Sequence, residues 1–278
     1  LKVKIMTVNL HSYIEKDCEK KLEIFTDALF RIQPDIIAMQ EVNQNSSCEV
    51  FTAERDFISA CFGIPLKKDN YGLRVMEALK EKGAFYNFAW LGIKKSFEVF
   101  EEGLCFLSKK PLKGKTAFLI SGTNNNLNWK KRMVLGIEAG DEWFYNVHMG
   151  RWDDDEEPFL SQWEMLNEKA RHGTPRWLMG DFNSPADTRN EGYDCILSSG
   201  WYDTFMLANK KDDGITAVGK IDGWRDKESF KAERIDYIFT DTKREFESSY
   251  TVFNGKNEKQ ISDHHAILLT YKDGDFHA

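Results

Sequence analysis

Apolar positions along the chain recur with two periods. Val3, Ile5, Val8 and Leu10 run close to alternation, which predicts an opening strand. Leu22, Phe25, Leu29 and Ile32 recur at helical spacing, predicting a helix that Pro34 stops. The stretch DIIAMQ, Asp35 to Gln40, reads as a short strand buried on both faces. Leu73, Met76 and Leu79 mark a second helix, ended near Gly83. Further strands are predicted from Leu104 to Leu107, Met133 to Ile137, Trp143 to Val147, Trp177 to Met179, Ile235 to Phe239 and Ala266 to Leu269. Between the Trp143 and Trp177 strands the spacing predicts a helix, roughly Pro158 to Arg171. The acidic run Asp153 to Glu157 and the proline at its first turn suit a helix N-terminus.

Strands recur to the end with no Pro/Gly/Ser-rich linker, repeat or low-complexity segment, so residues 1–278 read as a single domain. The pattern holds too many strands for a simple doubly wound sheet. It suits two sheets packed face to face with helices outside. Composition agrees: 41% hydrophobic with 20 Phe and 8 Trp is too apolar for a disordered chain. The 38 basic residues against 45 acidic ones give a net charge of −7, which argues against a chain whose main task is gripping a nucleic-acid backbone. No apolar run reaches the ~20 residues that cross a bilayer, and the N-terminus lacks a signal-peptide stretch. Five cysteines, with no C-x-x-C pair, point to a reducing compartment and no structural zinc. The expected location is the cytoplasm.

The informative polar residues sit where apolar strands end. Val8 leads to Asn9, Gln40 to Glu41, Val147 to His148, and Gly180 to Asp181 and Asn183. Asp236 follows Arg234 and Ile235, and Ile261 leads through Ser262 to Asp263, His264 and His265. Oxygen ligands such as Asn9, Glu41, Asp181, Asn183 and Asp263 suit a hard cation, Mg²⁺ or Mn²⁺. Histidines beside a buried carboxylate suit general-base chemistry. Each residue alone also reads as an ordinary turn or a solvated charge; the conjunction across the chain carries the argument. No G-x-S-x-G, P-loop or H-E-x-x-H occurs, so the sequence offers no protein nucleophile of those kinds.

The segments TVNLH, IIAMQEVNQ, EEGLCFLSKKPL, NVHMG, LMGDFNSP, RIDYIFTD and SDHHAI together resemble the endonuclease/exonuclease/phosphatase superfamily, from about Lys2 to Tyr271. The resemblance implies the deoxyribonuclease-I-like α/β fold, a four-layer sandwich of two mixed β-sheets flanked by helices, and Mg²⁺-dependent hydrolysis of phosphate esters. It also implies roles. Glu41 would be the principal metal ligand, helped by Asn9, with Asp263 touching the metal directly or through water. His264 would be the general base, oriented by Asp236. Asp181 and Asn183 would hold the nucleophile and a phosphate oxygen. His148 would donate to a phosphate oxygen, kept protonated by pairing with Glu102. The second histidine, His265, departs from the pattern of many relatives.

Substrate choice belongs to the loops. Trp129, Trp152 and Trp224 lie in polar stretches, where an indole either caps the core or offers a flat face to a sugar ring or base. Trp152 is favoured for its closeness to His148, and Trp224 is a second candidate. Arg132, ahead of the Met133 strand, is the candidate phosphate clamp. The stretches NVHMGRWDDDEEPF, EGYDCILSSGWYDTF and KKDDGITAVGKIDGW resemble the maltose 6'-phosphate phosphatase branch of the superfamily. The expected partner is therefore a small phosphorylated substrate, a sugar phosphate, rather than nucleic acid or membrane. The alternative on the same core is a phosphodiesterase, nuclease or sphingomyelinase-like. A non-enzymatic scaffold is set aside because Glu41, Asp236 and His264 are all present.

Overall fold

The computed structural model describes residues 1–52, 58–59, 64–170, 175–218 and 232–272. The chain opens with β1 (Lys2–Asn9), α1 (Cys18–Ile32), β2 (Ile36–Asn45) and the two-residue β3 (Ile58–Ser59). There follow α2 (Tyr71–Glu81), β4 (Asn87–Ser96), β5 (Phe100–Ser108), β6 (Leu112–Leu119) and β7 (Met133–Ala139). Next come β8 (Glu142–His148), α3 (Phe159–Lys169), β9 (Arg176–Asp181), α4 (Gly192–Ser198) and β10 (Tyr202–Asp203). The chain continues through α5 (Thr204–Leu207), β11 (Ala208–Lys211), β12 (Asp236–Thr240), β13 (Phe246–Val252) and β14 (Ala266–Lys272).

Two mixed sheets result. One has the order β11-β13-β14-β1-β2-β5-β4, with β3 added at its edge; the other runs β10-β12-β9-β8-β7-β6. Strand side chains alternate between faces, so one apolar run serves two cores. In β1 and β2, Ile5, Ile36 and Ala38 pack toward the second sheet, against Leu135, Ile137, Trp177 and Met179. Their neighbours Met6, Val8, Ile37 and Met39 meet Phe25 and Leu29 of α1 and Leu73 and Leu79 of α2. On the far side, Tyr145, Leu178 and Tyr237 of the second sheet bury against Phe159, Trp163 and Ile196 of α3 and α4. The four layers expected of the α/β sandwich are therefore present, helices outside and two sheets within.

Local chemistry sets the element ends. At the end of α1, Gln33 turns left-handed (φ 57°) and its N–H returns to the Leu29 carbonyl at 2.8 Å, with Pro34 next. Asn70 caps α2 by accepting from the Leu73 N–H at 3.1 Å. The acidic run departs from expectation. α3 starts at Phe159 with no acid in its first turn. Asp154 instead accepts the Glu156 and Glu157 N–H groups, and Glu157 accepts those of Gly122 and Thr123 at 2.7 Å. The carboxylates pin two loops together because unpaired backbone N–H groups outside a helix need acceptors as much as those within.

Register then builds a row of functional groups. His148 on β8 lies opposite Asp181 on β9, and Asp181 opposite Asp236 on β12. Gly180 permits this: its φ is +146°, and a Cβ there would lie 2.0 Å from the Val147 carbonyl oxygen.

Candidate active site

Glu41 reaches the space between the sheets through a β-bulge. The β2–β5 register shifts between Met39 and Val42, and Glu41 takes a left-handed backbone, φ 50°. Ser12 pins the bulge: its hydroxyl donates to the Glu41 carbonyl at 2.7 Å and accepts the Asn43 N–H at 2.9 Å. Asn9, at the end of β1, joins the sheets. Its amide donates to Glu41 Oε1 at 2.9 Å and to Asp181 Oδ2 at 3.1 Å. Asp181 also accepts the Asn183 N–H at 2.8 Å, and the Asn183 amide donates to the Met149 carbonyl at 2.9 Å.

His264, just before β14, donates from Nδ1 to Asp236 Oδ2 at 2.9 Å; its Nε2 lies 3.8 Å from Asp181 Oδ2. Both partners are buried. Thr216 holds Asp236 in place by accepting the Ile235 and Asp236 N–H groups, each at 3.1 Å. His148 Nε2 stands 3.7 Å from Asp181 Oδ2 and 3.9 Å from Glu41 Oε1. An imidazole with one nitrogen fixed by a buried carboxylate presents the other as a proton acceptor, the geometry of a general base.

Glu41, His148, Asp181, Asn183 and His264 line a cleft of about 660 Å³. The profile of the endonuclease/exonuclease/phosphatase family matches residues 6–264. The chain belongs to that family. Its members are hydrolases of phosphoester bonds, and the core described above is a phosphoesterase core. A search of curated protein sequences found no match. Among solved structures, an endonuclease/exonuclease/phosphatase family protein from Leptotrichia buccalis C-1013-b is 28% identical, with a TM-score of 0.84 over 96% of this chain and 98% of that one. A mannosyl-6-phosphatase from Bacteroides thetaiotaomicron VPI-5482 is 17% identical, with a TM-score of 0.61 over 97% of this chain and 100% of that one. A Neisseria 3' phosphatase bound to a product DNA hairpin is 16% identical, with a TM-score of 0.63 over 98% and 100%. The latter two share the fold.

The electrostatics of the family core show a surplus of negative charge. Burial, then the Asp236 charge, push the Asp181 pKa up to about 7. Burial and Glu102 raise that of Glu41. Burial opposes a proton on His264, yet the Asp236 and Asp181 carboxylates outweigh it and hold its pKa well above the ordinary value. Such a crowd of oxygen donors fits a hard divalent cation, and the family is generally metal-dependent. Asp181, Asp236 and His264 form one group able to hold an ion; His11, Glu15 and Asp263 form another. Asp263 stands 3.9 Å from His11 and accepts a hydrogen bond from Ser262, and its charge is felt at Glu41 and His264.

Three expectations are corrected. Glu102 does not pair with His148: it lies 3.1 Å from Lys94. Burial, with Arg132, Lys94 and His264 nearby, drives the His148 pKa well below its ordinary value, so this imidazole is neutral rather than held protonated. Trp152 is not at the cleft; the loop turns it back onto Phe159, ring centroids 5.8 Å apart, in the outer core. Trp129 lines the cleft instead, 58% exposed, with the Lys130 ammonium 5.5 Å from its ring centroid. Trp224 lies outside the described residues. His265 turns from the site, its Nδ1 on the Ile215 carbonyl at 3.0 Å.

Sequence reasoning missed His11 and Lys94. His11 lines the cleft, and its Nδ1 meets Glu15 at 2.9 Å. Burial lowers its pKa, but that hydrogen bond and the Glu41 charge raise it to about 9. The motif TVNLH contained it, and its left-handed backbone (φ 49°) was not legible there.

Proposed function

We propose that this chain is a cation-dependent phosphatase that removes the terminal phosphate of a phosphorylated sugar by attack of water, in the cytoplasm. The observation that carries the reading is Arg132. Its guanidinium is buried beside the cleft and, among the described residues, donates only to the Trp129 and Lys131 carbonyls, at 2.9 and 3.2 Å. Its Nε has no partner, and no described carboxylate pairs with it. A buried, unpaired cation is costly unless an anion completes it, and guanidinium suits phosphate.

In this reading Arg132 and a His148 N–H bind phosphate oxygens. The Asp181 charge helps hold the His264 imidazole protonated, and a cation offsetting that charge would free His264 Nε2 to take the proton from the attacking water while Asp236 holds Nδ1–H. Asp181 and Asn183 orient the water and a phosphate oxygen. A Mg²⁺ or Mn²⁺ held by Glu41, Asp181 and Asn9, with Asp263 outside them, would polarise the phosphoryl group.

The sugar part of the reading rests on the cleft. Its volume suits a small ligand, and Trp129 offers an indole face. Two of its wall cations are engaged: Lys130 pairs with Asp154 and Glu156 at 2.8 and 3.0 Å, and Arg151 with Asp153 at 2.9 Å. Lys94, Lys95 and Arg132 remain, a set that suits one phosphate group better than a run of them. The fold shared with a mannosyl-6-phosphatase supports the same substrate class. Among described residues no helix is long and apolar enough to cross a membrane, and four cysteines are free thiols, as suits a reducing compartment.

The test is phosphate release from a panel of sugar phosphates against nicking of plasmid DNA. Trp129→Ala should raise KM for the preferred sugar phosphate about three- to tenfold, the scale of one lost stacking contact, while Trp152→Ala should lower Tm and leave KM unchanged. Efficient nicking with no sugar-phosphate turnover would favour the nuclease.

A further inference from the structure

Two β-bulges flank β5 at the cleft. One aims Glu41. The other, between Gly92 and Lys94 on β4, buries Lys94 at 6% exposure while Lys95 stays in solvent. A buried ammonium is expensive unless its charge is met. Here Nζ donates to the Trp129 carbonyl at 2.8 Å and lies 3.1 Å from Glu102. Arg132 donates to that same carbonyl at 2.9 Å. Two buried cations therefore converge on one carbonyl with a single carboxylate in ion-pair contact. The Glu41 charge also reaches both cations without pairing with either, and Arg132 Nε keeps an unspent donor.

We propose that Lys94, acting with Arg132, recognises the third free oxygen and second negative charge of a phosphate monoester, and so sets a preference for monoesters over diesters. The proposal rests on the phosphatase reading above and names the residue that would enforce it. A monoester carries a charge near −2 at neutral pH and three free oxygens. A diester carries one charge and two free oxygens, so its esterified oxygen would face buried cations as a poor acceptor. Lysine supplies charge at a point and arginine a planar fork, a pairing suited to a dianion.

The experiment compares p-nitrophenyl phosphate with bis(p-nitrophenyl) phosphate, which share a leaving group. Lys94→Gln keeps a donor for the Trp129 carbonyl and removes the charge; Lys94→Arg keeps the charge. Lys94→Gln should lower kcat/KM for the monoester at least about tenfold and for the diester less than about threefold. It should weaken inhibition by inorganic phosphate at least about tenfold, and Lys94→Arg should retain most of both. Equal losses on both esters, or unchanged phosphate inhibition, would overturn the proposal. Should Lys94→Gln fail to fold, the wild-type chain decides: phosphate must inhibit at least about tenfold more tightly than dimethyl phosphate, and equal inhibition overturns the selector. Wild-type turnover of the diester alone would instead defeat the phosphatase reading itself.

Discussion

Cation binding and pH should be coupled in this protein through Asp181. Its carboxyl has an ordinary pKa of 3.8 and is pushed to about 7 by burial and by Asp236. A group whose pKa is higher folded than unfolded binds more protons in the native state. Its contribution to stability therefore falls as pH climbs from 3.8 toward 7. His264 acts with the same sign: its raised value stabilises the fold below an unfolded pKa of 6.5, and that stability is lost as pH rises through the folded value. A three-unit shift borne by Asp181 alone would be about 4 kcal/mol. Because Asp181, Asp236 and His264 titrate together, about 2 kcal/mol is the working figure. For a chain of this size that is about 4–8 °C in Tm. A divalent cation on these carboxylates removes the repulsion, so thermal unfolding with Mg²⁺ and with chelator should diverge with pH. The Tm gap should be several degrees wider at pH 8 than at pH 5. A gap of equal size at both would refute the reasoning, because other titrating groups contribute equally to the two curves.

Two further outcomes follow from the geometry. His264→Ala should lower kcat on the order of a hundredfold; Asp236→Asn should lower it too, and the double variant should be scarcely worse than His264→Ala, because Asp236 acts through the imidazole. Steady-state kinetics would contradict this if the two effects multiplied, or if His265→Ala proved the damaging change. Gly180→Ala should destabilise the fold by roughly 3 kcal/mol or more, since its Cβ would overlap the Val147 carbonyl; a wild-type Tm would show that the β8–β9 pair can spread.

The fold was legible where strands are buried on both faces. DIIAMQ and the Trp177 strand carry uninterrupted apolar runs because each face meets a core. β6 and β13 escaped because they lie at or next to sheet edges: LKGKTAFL is half-exposed along its length, and FESSYTV mixes buried with open positions. β4 is apolar enough, but a short apolar run does not by itself distinguish strand from helix.

The site divides along a similar line. Asn9, Glu41, His148, Asp181 and His264 stand out in sequence because polar residues at the ends of apolar runs break the pattern. Lys94 does not, since IKKSFE reads as a solvated stretch; one extra residue in the β4–β5 ladder decides which lysine is buried and which stays in solvent. Glu102 was paired with the wrong partner for the same reason. Its register places it opposite Lys94 and Asn43, and only the bulge turns that lysine inward. Trp152 misled because nearness to His148 in sequence is not nearness across a loop that folds back onto α3. Bulges and loop returns are set by packing between distant strands. A local pattern can therefore name the chemistry of this site while leaving its specificity to the tertiary structure.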